Sequence, residues 1–263
     1  MAETPPPEIV EALARADARL GPFAGHLHWY GHVTSTNDVA ARLADGGAAE
    51  GTTIAADMQT AGRGRLGRTW SSPAAAGLYT SVILRPDARV TPLLTLAAGV
   101  AIADGIQQAT GLVAQVKWPN DIYASGRKLA GILAEAGSGP VGIQHVVLGF
   151  GINVLPAAYP ADVAGRATSL ESELGRPIDR GLVLAECLAA LASWYDELRA
   201  GRRSVVIGAW RQRAVETFGR AIEWSADGTA HSGVVEDIDD DGALRVKTKT
   251  GLTRLVAGEV RWQ

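Results

Sequence analysis

Apolar and polar positions along this chain fall into two textures. Up to about residue 217, long apolar stretches at helical spacing alternate with short strand-like runs; beyond it the chain breaks into brief alternating pieces separated by turns. In the first region a helix-like stretch over 8–20 is stopped by Gly21-Pro22. Ser35-Thr36-Asn37-Asp38 supplies capping side chains ahead of a helix through 39–44, with Gly46-Gly47 as its stop. A longer helix is predicted from Thr91 as N-cap and Pro92 as its first residue, through the apolar run 93–106, to Gly111 just past its end. Further helices are predicted over 182–198 and 205–215.

The runs 52–57, 78–84, 113–118, 129–136 and 144–149 read as strands, with 113–118 and 129–136 joined through the hairpin turn Ala124-Ser125-Gly126-Arg127. Strands next to strands, interrupted by long helices, predict an α+β fold: a mixed β-sheet flanked by helices rather than a doubly wound parallel sheet. In the second region the pieces 221–224, 232–238, 243–247 and 252–256 predict a small C-terminal β-barrel. The expected division is therefore 1–216 and 217–263. The acidic turn Asp239-Asp240-Asp241-Gly242 lacks the remaining spacing of a calcium loop and reads as a solvated hairpin tip.

A hydrophobic fraction of 47% supports a substantial core, and a net charge of -3 gives no global pull toward nucleic acid or membrane. The single cysteine, Cys187, excludes an internal disulfide and a cysteine-rich metal site, and it reads as core filler in a helix. No secretory leader or membrane-length apolar run is visible, so a cytoplasmic protein is expected. Residues 1–30 offer one short helix, too little for a helix-turn-helix domain.

Against this neutral background, Gly62-Arg63-Gly64-Arg65-Leu66-Gly67-Arg68 packs three arginines and three glycines into seven positions. Glycine lets backbone N–H groups approach a ligand, and arginine adds a fixed charge whose planar fork matches phosphate or carboxylate oxygens. The strand-like flanks argue against a disordered RGG-like tail; a loop closing on a small anion and a plain surface turn both stay open on composition. Lys117-Trp118-Pro119-Asn120-Asp121 and Lys128-Leu129-Ala130-Gly131 place two lysines beside apolar strand positions, and a hairpin would bring their strands side by side. Lysines on a buried sheet face need an anion, whereas lysines at a surface simply snorkel. Gly149-Phe150-Gly151-Ile152-Asn153 ends a strand with two glycines and an amide, suited to a planar ligand but weak alone.

In combination and order, Ser35-Thr36-Asn37, the segment from Gln59 to Arg68, the two lysine motifs and Gly149 to Asn153 closely resemble the biotin-protein ligases, from about Trp29 to the C-terminus. The resemblance implies a biotin–lipoate ligase fold related to class II aminoacyl-tRNA synthetases, followed by an SH3-like barrel. It also implies a two-step reaction. Biotin and ATP, with Mg²⁺, give biotinyl-5′-AMP, and a lysine of the biotin carboxyl carrier protein of acetyl-CoA carboxylase then takes the biotinyl group. By similarity Lys128, Arg63 and Arg65 are catalytic, Lys128 on the biotin carboxylate and the two arginines on the phosphate. The biotin site is expected to comprise Ser35, Thr36, Asn37, Gln59, Gly62, Arg63, Gly64, Arg65, Lys128 and Gly131. The ATP site is expected to comprise Arg65, Arg68, Trp70, Lys117, Asn120, Gly149, Gly151 and Asn153, with Trp70 near the adenine. No residue is assigned as a metal ligand. The segment 60–70 is expected to order over the adenylate, because acyl-adenylates must be kept from water.

Some members of the family carry an N-terminal DNA-binding domain; a monofunctional enzyme is expected here, with a homodimer favoured over a monomer. The stretch 156–180, including Thr168-Ser169-Leu170, matches less tightly and receives no assignments. Two other functions remain in view: a lipoate or octanoate ligase of the same fold, disfavoured by the polar set Ser35, Thr36, Asn37 and Gln59, and a non-catalytic biotin-binding regulator, which would not need both the lysine and the arginines.

Overall fold

Period-two alternation in the main sheet divides its two faces between a core and a cavity. The computed structural model describes residues 2–139, 142–157, 159–226, 228–256, 258 and 260–263. Strands β1 (Leu27–Val33), β2 (Thr53–Gln59), β3 (Gly77–Leu84), β4 (Gln115–Lys117), β5 (Asp121–Ala124), β6 (Arg127–Gly139) and β7 (Gly142–Asn153) form one sheet in the order β1-β2-β3-β7-β6-β5-β4. β1 and β2 run parallel and the other neighbours antiparallel, so the sheet is mixed as expected. The helices are α1 (Pro7–Ala16), α2 (Thr36–Asp45), α3 (Leu94–Thr110), α4 (Ala161–Ala164), α5 (Leu170–Leu174), α6 (Arg180–Arg199) and α7 (Arg203–Arg213).

Leu78, Val82 and Leu84 of β3 with Val146, Leu148, Phe150 and Ile152 of β7 point to one face, where they share a core with α1, α3 and α6. The intervening residues point the other way, and there Ile83 and Val147 meet Val39, Ala40 and Ala44 of α2. Because α2 spans only ten residues, it covers only part of that second face. What lies beyond it is floored by small residues.

α3 is apolar nearly all round and accordingly buried. It approaches α6 closely at Gly105, where an added Cβ would lie 2.6 Å from the Cys187 backbone nitrogen. Cys187 is fully buried, in keeping with its reading as core filler, and burial pushes its thiol pKa up. Thr91-Pro92-Leu93 forms a 3₁₀ turn rather than the first turn of α3, which begins at Leu94 and ends at left-handed Gly111.

Several expectations need correction. Ser35 is the N-cap of α2 but makes no side-chain cap bond, because Thr36 and Asn37 turn their side chains toward the sheet instead. The turn at Ser125-Gly126 joins β6 to β5, a four-residue strand the sequence did not signal, so β5 separates the strands of Lys117 and Lys128. β7 does not end at Gly149; both glycines lie within the strand, which runs to Asn153.

The C-terminal strands β8 (Ala221–Ala226), β9 (Thr229–Ile238), β10 (Leu244–Thr248), β11 (Gly251–Leu255) and β12 (Val260–Trp262) form an antiparallel sheet in the order β11-β10-β9-β8-β12. Among the described residues no pairing closes it into a barrel. Its acidic turn is not a solvated tip. Gly242, at φ +82°, accepts a 3.0 Å hydrogen bond from Nε1 of buried Trp118 and sits against Leu93 and Leu96 of the main core. Arg203 donates to the Asp240 carbonyl and the Asp241 carboxylate, while Arg211 grips Asp237 with two hydrogen bonds. The turn is a docking point between the two sheets.

Candidate active site

The uncovered part of the sheet floors a cavity of about 710 Å³. One register row crosses its base: Lys117 of β4 opposes Asp121 of β5, which opposes Gly131 of β6, which opposes Gly151 of β7. Lys128 would belong to the wrong face under strict alternation from Gly131. An extra residue on β6, Leu129, breaks the register between Ile122 and Tyr123, so that Leu129 and Ala130 both enter the core. Lys128 thereby joins the cavity face, with its ammonium 2.7 Å from Asp121 Oδ1 and 5.3 Å from the centre of the Trp70 ring.

Opposite the lysines stands a polar wall built on the start of α2. Gln59 Oε1 accepts from the Thr36 backbone N–H at 2.8 Å and from the Thr36 hydroxyl, which orients the amide so that Nε2 donates to Ser72 at 2.8 Å. The Asn37 amide donates to Glu135 at 2.7 Å, and its oxygen accepts from Ser81 at 2.6 Å. Ser35 lines the cavity, and no hydrogen bond from its side chain to the described residues is formed. The wall is therefore rigid except for one uncommitted hydroxyl.

The glycines of the floor admit neighbours that a side chain would displace. An added Cβ at Gly149 would overlap the Asn37 amide, with Asn37 Cγ at 2.9 Å. At Gly131 it would meet the Trp70 ring at 3.0 Å, and at Gly151 it would collide with the same indole. Trp70 thus packs on the floor, with its Nε1 buried and without a hydrogen-bond partner among the described residues.

The glycine-arginine segment folds over this cavity as a small hairpin. Trp70 N–H donates to Gly62 O at 2.8 Å and Gly64 N–H to Arg68 O at 2.7 Å, around a tip at Arg65–Gly67. Leu66 at the tip is left-handed, at φ 56°, and exposed. Arg65 crosses the cavity to Asn120 Oδ1 at 3.1 Å and to the Gly258 carbonyl of the C-terminal region at 3.4 Å. Arg63 is held by two carboxylates, Asp38 at 2.6 Å and Glu135 at 2.5 Å, and the hydrogen bond it donates to Asp38 leads in raising its pKa. Two carboxylates balance its charge, and it thereby latches the hairpin to α2 and β6.

Ser35, Thr36, Asn37, Gln59, Arg63, Gly64, Arg65, Arg68, Trp70, Lys117, Asn120, Lys128, Gly131, Gly149 and Gly151 all line the cavity. Gly62 and Asn153 do not. Gly62 packs against the base of its own hairpin, with Ser72 Oγ and Gln59 Nε2 within 3 Å of an added Cβ. Asn153 is buried at the end of β7 and donates to Thr168 O at 2.9 Å, closing the floor from below.

The cavity also has walls that the sequence did not signal. Arg166 lines it from the segment left unassigned, held there because Lys128 N–H donates to Arg166 O and Thr168 N–H to Lys128 O. Tyr123, Val260, Arg261 and Trp262 line it too, the last three from β12. Burial lowers the pKa of Lys117, with Arg220 adding to the effect, and burial raises that of Tyr123 to about 12. Among the described residues no cluster of three or more histidine, cysteine, aspartate or glutamate side chains could hold a metal ion, and no helix is long and apolar enough to cross a membrane.

Comparison with known proteins agrees with this geometry. Residues 30–153 match the biotin/lipoate A/B protein ligase family, and residues 217–261 match the biotin protein ligase C terminal domain. The chain is 34% identical over 259 residues to the bifunctional ligase/repressor BirA of Bacillus subtilis, covering 97% of this chain and 79% of that one. It is 37% identical over 235 residues to the biotin--[acetyl-CoA-carboxylase] ligase of Paracoccus denitrificans, covering 86% of this chain and 96% of that one. Among solved structures it resembles the biotin protein ligase from Aquifex aeolicus in complex with biotin and ATP. That TM-score is 0.79 at 27% identity, over 91% of this chain and 99% of the other.

Proposed function

This chain belongs to the biotin protein ligase family, and we propose that it activates biotin with ATP to biotinyl-5′-AMP and passes the biotinyl group to a lysine of a biotin carboxyl carrier protein. The observation that carries this reading is the meeting, in one cavity of about 710 Å³, of a buried polar wall, a glycine floor and cations from five separate segments. That volume falls within the usual range for small-molecule sites.

In the first step a carboxylate oxygen of biotin attacks the α-phosphorus of ATP, the bond to the β-phosphate oxygen breaks, and pyrophosphate leaves. Two anions must approach, so the site has to supply fixed positive charge. Lys128 stands where it can hold the attacking carboxylate, exchanging its pairing with Asp121 for the substrate. Arg65 and Lys117 are disposed to take the phosphates. Arg63 acts by holding the hairpin shut, which excludes water from a product that hydrolyses readily. In the second step the acceptor amine attacks the acyl carbon, AMP departs, and the amine loses its proton.

Ser35, Thr36, Asn37 and Gln59 suit the ureido ring of biotin better than the dithiolane of lipoate, because their donors and acceptors are already buried and ordered. The glycine floor beneath Trp70 suits the adenylate side. Asp121 is the one carboxylate on the cavity wall among the described residues. This fits a Mg²⁺ ion that is bound chiefly through the nucleotide phosphates with one protein carboxylate, and that would neutralise phosphate charge. The division into 1–216 and 217–263, an SH3-like character for the latter, a cytoplasmic location and a homodimer belong to the same proposal; light scattering on the purified chain tests the last.

Biotin-dependent exchange of labelled pyrophosphate into ATP tests the function. Exchange with biotin and none with lipoate or octanoate is expected. Exchange driven by lipoate would make the chain a lipoate ligase, and biotin binding without exchange would make it a sensor.

A further inference from the structure

The two sheets meet at Lys117. Its ammonium lies 4.5 Å from the centre of the Tyr123 ring and 5.0 Å from that of Trp262, between an aromatic face from β5 and another from β12. Asp121, opposite Lys117 in register, is paired instead with Lys128, and no carboxylate among the described residues forms an ion pair with Lys117. The distinction matters chemically. A carboxylate clamp would fix the ammonium by neutralising it, whereas two ring faces fix it and leave its full charge for an incoming anion. Burial lowers the Lys117 pKa, Arg220 and Lys128 add to the effect, and the charges of Asp121 and Glu216 oppose it without reversing it.

Trp262 reaches this position because β12 is tied down on both sides of it. Val260 pairs with Trp224 and Trp262 with Ile222 on β8, and the Gln263 N–H donates to Ala221 O at 3.1 Å. Behind the clamp is a second, small cavity of about 70 Å³, lined by Lys117, Tyr123 and Trp262 together with Glu216 and Arg220. Lys117, Tyr123 and Trp262 therefore stand between two spaces. A lysine has a long flexible stem. With the indole removed, the Lys117 ammonium could swing backward toward the Glu216 carboxylate.

We propose that Trp262 is a positioning residue for the nucleotide subsite: from the C-terminal strand it holds the Lys117 ammonium against Tyr123 and aims it, unneutralised, into the main cavity. The C-terminal sheet thus takes part in binding the phosphate end of ATP through a side chain that does not itself carry charge. This rests on the reading of the cavity as a biotin and ATP site.

The test uses the full chain with Trp262→Ala, Trp262→Phe, Lys117→Ala and the Lys117→Ala/Trp262→Ala double variant, read by biotin-dependent pyrophosphate exchange. Trp262→Ala is expected to raise the KM for ATP by roughly tenfold, the order of one cation–π contact, while the KM for biotin stays within about twofold. Trp262→Phe should restore most of the difference, and in the Lys117→Ala background removal of the indole should add little. An unchanged KM for ATP, an equal rise for biotin, or a full additional effect in the double variant would overturn the proposal. The clamp has its own readout in the NMR signal of the Lys117 ε-methylene, which two ring faces should shift upfield. Loss of that shift in Trp262→Ala supports the clamp, and a signal identical to wild type rejects it. Absence of exchange in the wild-type chain would instead reject the ATP reading, and with it the role in nucleotide binding.

Discussion

Gly149→Ala probes the polar wall through a residue that makes no polar contact with it. The new Cβ would overlap the Asn37 amide, whose Cγ would lie 2.9 Å away. Asn37 is 5% exposed, so water cannot readily replace what it loses. Swinging it aside breaks one bond to the Glu135 carboxylate and one from the Ser81 hydroxyl. A neutral bond contributes about 0.5–1.5 kcal/mol and one to a charged group about 1.5–3 kcal/mol, so the expected loss of stability is roughly 2–4 kcal/mol. For a chain of this size that lowers Tm by about 4–16 °C in a thermal melt. Gly208→Ala, in the interior of α7 with nothing within 4 Å of the added carbon, is the control. It should stabilise the chain by about 0.5–1 kcal/mol. At a temperature where the Gly149→Ala protein is still folded, its KM for biotin should rise roughly tenfold, as for one lost contact of this class, with the KM for ATP little changed. A Tm equal to wild type together with an unchanged KM for biotin would refute the geometry of the wall.

Other consequences follow from the same structure. Lys128→Ala should slow adenylate formation by about 10- to 150-fold, the kinetic equivalent of one charge-assisted contact worth about 1.5–3 kcal/mol, in single-turnover assays on protein shown to be folded. Near wild-type rates would remove Lys128 from its assigned role. Trp118→Phe deletes the hydrogen bond to the Gly242 carbonyl and should cost about 1–3 kcal/mol in denaturant unfolding; no loss would mean that the turn is not a docking point. Amide exchange across 60–70 should slow when biotin and ATP are added, and Asp38→Asn with Glu135→Gln should speed it in the free protein by removing the latch on Arg63. Exchange that ignores both perturbations argues against a closing hairpin. Cys187, buried with its thiol pKa pushed up, should resist thiol reagents until the chain is unfolded. Rapid labelling of the native protein would place it at a surface.

Much of the site was legible in the sequence because its chemistry is concentrated in short motifs. Arg65, Lys117, Lys128 and the polar set at Ser35 to Asn37 can be read locally, and all line the cavity. What could not be read locally was how those motifs are turned. Lys128 faces the cavity only because Leu129 breaks the register, and a run such as Lys128-Leu129-Ala130-Gly131 does not announce a bulge. Arg63 is the same residue type as Arg65 and two positions away, yet Asp38 and Glu135, from α2 and β6, commit it to a latch. Gly62 and Asn153 belong to motifs whose neighbours line the cavity, but packing turns them into supports. Short strands were the other blind spot. β5 has four residues and β12 three, too few for a periodicity to register, and each delivers one of the rings around Lys117. Trp262 belongs to the site only through the contact between two distinct sheets.

The most direct test of the central claim is a crystal structure of the chain with biotin and a nonhydrolysable ATP analogue. The account expects both ligands in the cavity of about 710 Å³, with the ureido ring against Ser35, Thr36, Asn37 and Gln59, the biotin carboxylate within hydrogen-bonding distance of Lys128, and the phosphates turned toward Lys117. Either ligand bound elsewhere, or a biotin carboxylate remote from Lys128, would contradict it.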